Sequence, residues 1–197
     1  MTTQSDRLAG AVGIVAGALI VVAPNFDGTI GTAGWIAGTV LLVPYLSGLA
    51  SALAAAGSRW LAPVMSAGAA VGVALYLVSL GVAHVAGSVA TDSPVHEPLH
   101  AVESTLFAMA LLPLGAAVAA SAVAMVRHRR LPRWLGYPTG LVAIAMFANG
   151  GQLGTEEVPG LMLFLLWTLV VSVFLLVRRR AAVQAPAFED ATPVAVG

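Results

Sequence analysis

Three of the four histidines in this chain lie in one polar stretch, residues 84–103, with the sequence HVAGSVATDSPVHEPLHAVE. Imidazole and carboxylate groups together suit zinc, iron or copper. His100 and Glu103 are three residues apart, so on a helix their side chains share one face. His84 ends the preceding apolar segment and can reach the same depth. The sequence therefore raises the hypothesis of a metal site formed by His84, His100 and Glu103.

The same residues allow two other interpretations. A b-type haem needs two histidines at matched depth, and His84 with His100 is the pair that could supply them. In the second interpretation the stretch is a hydrogen-bonded cluster at the membrane surface that binds no metal. Glu103 near a helix N-terminus is stabilised by the helix dipole, and the histidines lie close to water. The sequence favours this cluster over a bound metal or haem.

Residues 96–100, HEPLH, match the H-E-x-x-H pattern of zinc proteases. That pattern requires both histidines on one helix face with the glutamate beside them. Proline is favoured at the first position of a helix, so we expect the helix to begin at Pro98. His96 and Glu97 would then lie outside it. The sequence therefore does not predict a zinc protease, and we assign no catalytic residue.

Further polar residues fall near the same end of the chain's apolar segments. Asn149 and Gln152 close the fifth segment, and Tyr76 lies deeper in the third. We predict these three as ligand-binding residues. A continuous polar track through Tyr45, Tyr76 and Ser172 would instead indicate a small transporter or channel.

Composition decides the class of protein that must position these residues. The 197 residues are 59% apolar and 9% charged, whereas soluble domains carry about 25% charged residues. A soluble protein of this size cannot bury so much apolar surface. The net charge is zero, which predicts no nucleic-acid partner. Cysteine and lysine are both absent, which excludes disulfides, thiolate ligands and a lysine Schiff base.

The apolar segments predict an all-α polytopic membrane protein, a bundle of six transmembrane helices. Each segment is a continuous apolar run close to the length of about 20 residues that a span requires, and it lacks the alternation of a membrane β-strand. The predicted spans cover about residues 8–23, 34–56, 63–84, 98–126, 134–152 and 159–177. Residues 181–197 are predicted to form a disordered cytoplasmic tail.

The arginines predict the orientation. They fall in the N-terminus, the second and fourth loops and the end of the last span, at positions 7, 59, 127, 129, 130, 133 and 178–180. The other three loops carry acidic residues and no arginine. Because positive residues stay on the cytoplasmic side, both termini are predicted to be cytoplasmic.

Residues 130–143, RLPRWLGYPTGLVA, and 160–180, GLMLFLLWTLVVSVFLLVRRR, are similar to the end of a family of small six-helix bacterial membrane proteins that is frequent in actinobacteria. Residues 8–19, LAGAVGIVAGAL, are similar to the family's opening. The function of that family is unknown. The resemblance implies six helices and location in the bacterial cytoplasmic membrane, and it brings no catalytic residue.

Taken together, the sequence predicts a non-enzymatic membrane protein that binds a partner protein, a lipid or a hydrophobic ligand at its outer end. Its partners would be the bilayer and either another membrane protein or further copies of itself. The alternative is a metal- or haem-binding membrane enzyme or redox protein that uses His84, His100 and Glu103. The third hypothesis is the small transporter or channel.

Overall fold

The structure is a computed structural model that describes residues 2–26, 28–55, 57, 59–127, 131–151 and 159–183. Within them the chain forms six α-helices, one short 3-10 helix (Ala23–Asn25) and no strand, which confirms the predicted all-helical class. The α-helices are α1 Thr2–Val22, α2 Gly28–Ala54, α3 Ala62–Ser88, α4 His96–Arg127, α5 Arg133–Gly150 and α6 Pro159–Val183.

Several helices are longer than the apolar runs that predicted them. α2 begins six residues before the predicted Gly34, α3 continues four residues past His84, and α4 begins at His96 instead of Pro98. α6 continues to Val183, three residues into the predicted tail; residues 184–197 lie outside the described part, so the tail stays a prediction. Helical hydrogen bonding does not require apolar side chains, and a proline in the first turn needs no backbone donor.

Five of the helices are long and apolar enough to cross a membrane. They contain the spans Arg7–Asn25, Gly28–Ala54, Ala62–Ser88, His96–Arg127 and Gly160–Val177. α5 is not among them: its 18 residues include Arg133, Pro138 and Asn149. In lipid the backbone must satisfy its own hydrogen bonds, which helices do within one segment. The chain is therefore a helical membrane protein.

The helices pack in chain order into a ring, and α6 closes the ring against α1. Neighbouring helices run antiparallel. On α3, Gly68 faces Ala117 of α4 and Gly72 faces Ala110 and Leu114, so positions rise on one helix as they fall on the other. The Arg127 guanidinium lies 6.0 Å from the ring centre of Trp60. This contact places the α2–α3 connection and the end of α4 at the same end of the bundle.

Glycines form the closest helix–helix contacts in this ring. A Cβ on Gly13 of α1 would collide with Ser172 of α6 and Tyr45 of α2, and one on Gly38 of α2 would meet Ile20 and the Ala16 carbonyl. Small residues of this kind let helix backbones approach each other in membranes. The sequence has four pairs of glycines spaced by four residues, and most of these glycines pack the protein's own helices: Gly13/Gly17, Gly34/Gly38, Gly68/Gly72 and Gly136/Gly140. Gly140 is an exception, because a Cβ there would meet nothing within 4 Å.

A buried hydrogen-bonded group joins α5 to α6. The Trp167 Nε1–H donates to Thr139 Oγ1 at 2.8 Å, and the Thr139 hydroxyl donates to the Leu135 carbonyl at 2.7 Å. Tyr45 packs its ring edge against Trp167 with 6.4 Å between ring centres, and its hydroxyl donates to the Thr168 carbonyl at 3.4 Å. α2, α5 and α6 thus meet around one tryptophan.

Replacing Gly13 by alanine tests the α1–α2–α6 contact. The Gly13→Ala methyl group has no room beside Ser172 and Tyr45, so we expect a lower melting temperature in detergent; overpacking typically costs about 1–3 kcal/mol. Gly140→Ala is the matched control, since its methyl group enters open space and alanine favours helix by about 1 kcal/mol. Equal melting temperatures for the two variants would show that the contact at Gly13 is not tight.

Replacing Thr139 by valine tests the tryptophan contact. Thr139→Val keeps the shape but leaves Trp167 Nε1 without its acceptor, which typically costs about 1–3 kcal/mol for a buried donor. We expect a lower melting temperature and a changed tryptophan fluorescence spectrum, whereas Thr139→Ser retains the hydroxyl and most of the stability. Thr105→Val, at an exposed threonine that bonds within its own helix turn, is the control. A loss as large in that control would contradict the assignment.

Candidate functional site

α3 and α4 form a helical hairpin whose register brings the polar stretch to one end. The Ser79 hydroxyl of α3 donates to the Glu103 carbonyl of α4 at 3.2 Å. One turn nearer the bundle centre, Tyr76 and Phe107 have ring centres 5.7 Å apart. Continuing this antiparallel register towards the connection 89–95 places His84 at the level of the first turn of α4.

α4 extends well beyond the helix that covers its other side. A Cβ on Gly150, the last residue of α5, would lie against Leu112 and the Ala108 carbonyl of α4. The twelve residues 96–107 of α4 lie beyond this point and are about 18 Å long at 1.5 Å per residue. From residue 80 to residue 107 only Ala86 is buried. We call residues 80–107 the hairpin tip; other helices cover it little.

The predicted pairing of His100 with Glu103 is present. His100 Nδ1 lies 3.1 Å from Glu103 Oε2, and the two side chains are 53% and 30% exposed. An ionised carboxylate can only accept a hydrogen bond, so a neutral His100 in this pair holds its proton on Nδ1 and its lone pair on Nε2. Glu103 therefore determines which imidazole nitrogen of His100 is free.

His96 joins this pair on the helix, although the sequence reasoning placed it outside the helix and left it out of the metal site. Because α4 begins at His96 rather than Pro98, His96 and His100 are one turn apart on the same helix, with ring centres 4.7 Å apart and an interplanar angle of 77°. His96 Nδ1 is buried and has no hydrogen-bond partner in the described structure. The four-residue spacing within HEPLH was the sequence signal for this contact, and the expected helix start at Pro98 hid it.

The structure does not gather three metal-ligating side chains at one point. Among the described residues, no group of three or more histidine, cysteine, aspartate or glutamate side chains is placed to hold a metal ion. His84 is exposed on α3. A metal site formed by His84, His100 and Glu103 would require movement of these side chains and stays a prediction.

Two of the three residues predicted to bind a ligand lie on different helices of the described structure, Tyr76 on α3 and Asn149 on α5. Tyr76 is 5% exposed and packs on Phe107 between α3 and α4. Asn149 is half-buried at the end of α5, where a Cβ on Gly160 would lie 2.9 Å from its Oδ1. Gln152 lies outside the described residues. Their role in ligand binding stays a prediction.

The hydroxyls considered for a polar track divide between two places. Tyr45 and Ser172 lie together against Gly13, where α1, α2 and α6 meet, while Tyr76 lies in the α3–α4 contact. Ser172 Oγ and Thr168 Oγ1 are buried and have no hydrogen-bond partner within the described part of the chain. Ser172 Oγ fills the notch left by the missing side chain of Gly13, so this polar group packs two helices together.

Comparisons with protein-family models, with curated proteins and with solved structures found no match for this chain. The similarity of residues 130–143 and 160–180 to a family of small six-helix membrane proteins therefore stays a prediction.

Proposed function

We propose that this chain is a non-enzymatic integral protein of the bacterial cytoplasmic membrane, with six spans and both termini in the cytoplasm. It presents the hairpin tip outside the membrane as the binding surface for a partner protein. The projection of α4 beyond α5 is the observation that carries this proposal. A lipid, a hydrophobic ligand or a second copy of the chain are the other occupants of this end.

The length of α4 supports the projection. Its 32 residues are about 48 Å long, whereas the hydrocarbon core is about 30 Å thick and takes about 20 residues. The excess of about 12 residues equals the length of 96–107, where the polar side chains of α4's first half are concentrated. Arg127 at the other end marks the cytoplasmic surface. With Arg127 at that surface, residues 96–107 stand in water on the opposite side.

The position of α5 supports a sixth span. Gly136 of α5 faces Ala122 and Val126 of α4, and Gly150 faces Ala108 and Leu112. α5 thus runs beside the same stretch of α4 that would fill the bilayer. Its polar residues lower its hydropathy, but packing against α4 and α6 covers part of its surface. Six spans also put all nine arginines on one side of the membrane.

The charge of the tip indicates the character of the partner. Asp92, Glu97 and Glu103 lie in it, and no lysine or arginine occurs between residues 60 and 126. Complementary charge steers association and selects partners. We therefore propose a partner with a basic surface. An exposed pair of helices offers a partner protein contacts over its whole length.

The absence of cysteine from the sequence allows the topology to be tested with single-cysteine variants. We expect a membrane-impermeant maleimide added to intact cells to label Asp92→Cys and Glu156→Cys, because both lie outside in the proposed topology. Arg127→Cys and Gly197→Cys should be labelled only after the cells are lysed. Labelling of Gly197→Cys in intact cells would show that the C-terminus lies outside. It would exclude a topology with a cytoplasmic N-terminus and an even number of spans.

The binding surface can be tested with a photo-crosslinking residue at Val95 in the tip. Val71, in the half of α3 that would lie in lipid, is the control, since the two side chains are 53% and 52% exposed. We expect a discrete protein adduct from position 95 only, and its loss when Asp92, Glu97 and Glu103 are changed to Asn, Gln and Gln. An adduct that forms equally from both positions, or that survives neutralisation of the three acids, would contradict a basic partner at the tip.

The contact of His100 with Glu103 favours one second candidate, a metal- or haem-binding redox protein that uses His84. This candidate predicts a Soret band or stoichiometric metal in the detergent-purified protein, lost in the His84→Ala/His100→Ala variant. A colourless protein whose metal content is unchanged by the two substitutions would remove it.

A further inference from the structure

We propose that His96 and His100 form a binding site for a divalent transition-metal ion of the Zn²⁺, Ni²⁺ or Cu²⁺ class, with Glu103 positioning His100 and not itself coordinating. The site differs from one formed by His84, His100 and Glu103 in its ligands and in the role of the carboxylate. It goes beyond the proposed function, since it depends neither on the orientation in the membrane nor on the partner.

Glu103 orients the imidazole ring of His100. Its contact with His100 Nδ1 at 3.1 Å leaves Nε2 as the nitrogen with the lone pair, on a side chain that is 53% exposed. A histidine that coordinates a metal commonly donates its other N–H to a carboxylate, which orients the ring and raises its basicity. His100 has this arrangement with Glu103.

The spacing of the His96 and His100 rings suits a shared metal ion. His96 Nδ1 is a buried atom, so Nε2 is the nitrogen of His96 that can reach an ion. Two imidazole nitrogens at 2.0–2.1 Å from a tetrahedral ion lie about 3.3 Å apart. Histidines at positions i and i+4 of a helix have their Cβ atoms about 5–6 Å apart, and these rings are already 4.7 Å apart. Rotation about the side-chain bonds is enough to bring the two Nε2 atoms together.

The helix dipole and the nearby acidic residues set the charge around the two histidines. The positive end of the helix dipole at the start of α4 disfavours a cation. Glu97 and Glu103 on α4 and Asp92 in the connection oppose this effect, and no lysine or arginine occurs between residues 60 and 126. Neutral imidazoles prefer zinc, nickel and copper, whereas magnesium and calcium prefer oxygen ligands. Two protein nitrogens leave coordination positions for water.

The test is a metal titration of detergent-purified protein prepared without a histidine tag and stripped with a chelator. We expect one Zn²⁺ or Cu²⁺ per chain, detected by calorimetry and, for Cu²⁺, by its visible spectrum. His96→Ala and His100→Ala should each weaken binding by tenfold or more, while His84→Ala is the control and leaves it unchanged. Acidification should release the metal, because protons compete with the ion for the imidazole nitrogens.

Glu103 is tested as a positioning residue. Glu103→Ala should weaken binding by about tenfold, at the low end of the effect of outer-shell partners, and Glu103→Gln should restore part of it, since the amide oxygen still accepts from His100. The Cu²⁺ spectrum should keep a nitrogen-ligand signature in both variants. Circular dichroism and melting temperature check that each variant is folded.

Three outcomes would overturn the proposal: no binding at millimolar Zn²⁺ or Cu²⁺, binding that survives the His96→Ala/His100→Ala variant, or an equal loss in His84→Ala. None of these concerns the crosslink from Val95. A failed metal site therefore leaves the proposed partner surface standing, and a failed partner surface leaves the metal site standing.

Discussion

The close approach of helix backbones at glycine is the contact on which this structure depends. Lipid tails are as apolar as leucine, so membrane helices gain no hydrophobic free energy by burying apolar side chains against each other. They associate instead through close packing and hydrogen bonds. Gly13, Gly38, Gly68 and Gly136 each lie where a Cβ would meet the neighbouring helix at 3.2 Å or less. Hydroxyls such as that of Ser172 fill the notches. Close packing at glycines therefore holds most of the neighbouring helices of the ring together.

The hairpin tip differs from the ring in each of these respects. Gly81 and Gly87 of α3 have nothing within 4 Å of a built Cβ, and residues 96–107 of α4 have no buried side chain. The tip is held instead by the α3–α4 contact, through Ser79, Tyr76 and Phe107. A two-helix element with few buried contacts costs little to reorganise when a partner or an ion binds. Stability and the candidate site are thus located in different parts of the molecule.

The sequence predicted what depends on local chemistry and missed what depends on register. Hydropathy predicted the helical segments, because contact with lipid favours apolar residues along the whole length of a span. The three-residue spacing predicted the contact of His100 with Glu103. Helix ends were less predictable, since hydrogen bonding continues past the last apolar residue. α5 ends at Gly150, beside Ala108 of α4, and this register leaves the tip uncovered. The register depends on side-chain packing between the two helices, so the sequence of either segment alone does not predict it.

Pro98 shows how one position can mislead a functional argument. A proline inside a helix removes a hydrogen bond, but in the first turn its missing donor has no partner to lose. With α4 starting at His96, the proline is compatible with both histidines on one helix, so the objection to HEPLH based on helix geometry disappears. The described residues bring no third coordinating side chain to this pair. Catalytic zinc sites have three protein ligands and a water molecule. Two histidines on an exposed helix end instead suit reversible binding of an ion, with the carboxylate of Glu103 engaged by His100 and Glu97 left facing solvent.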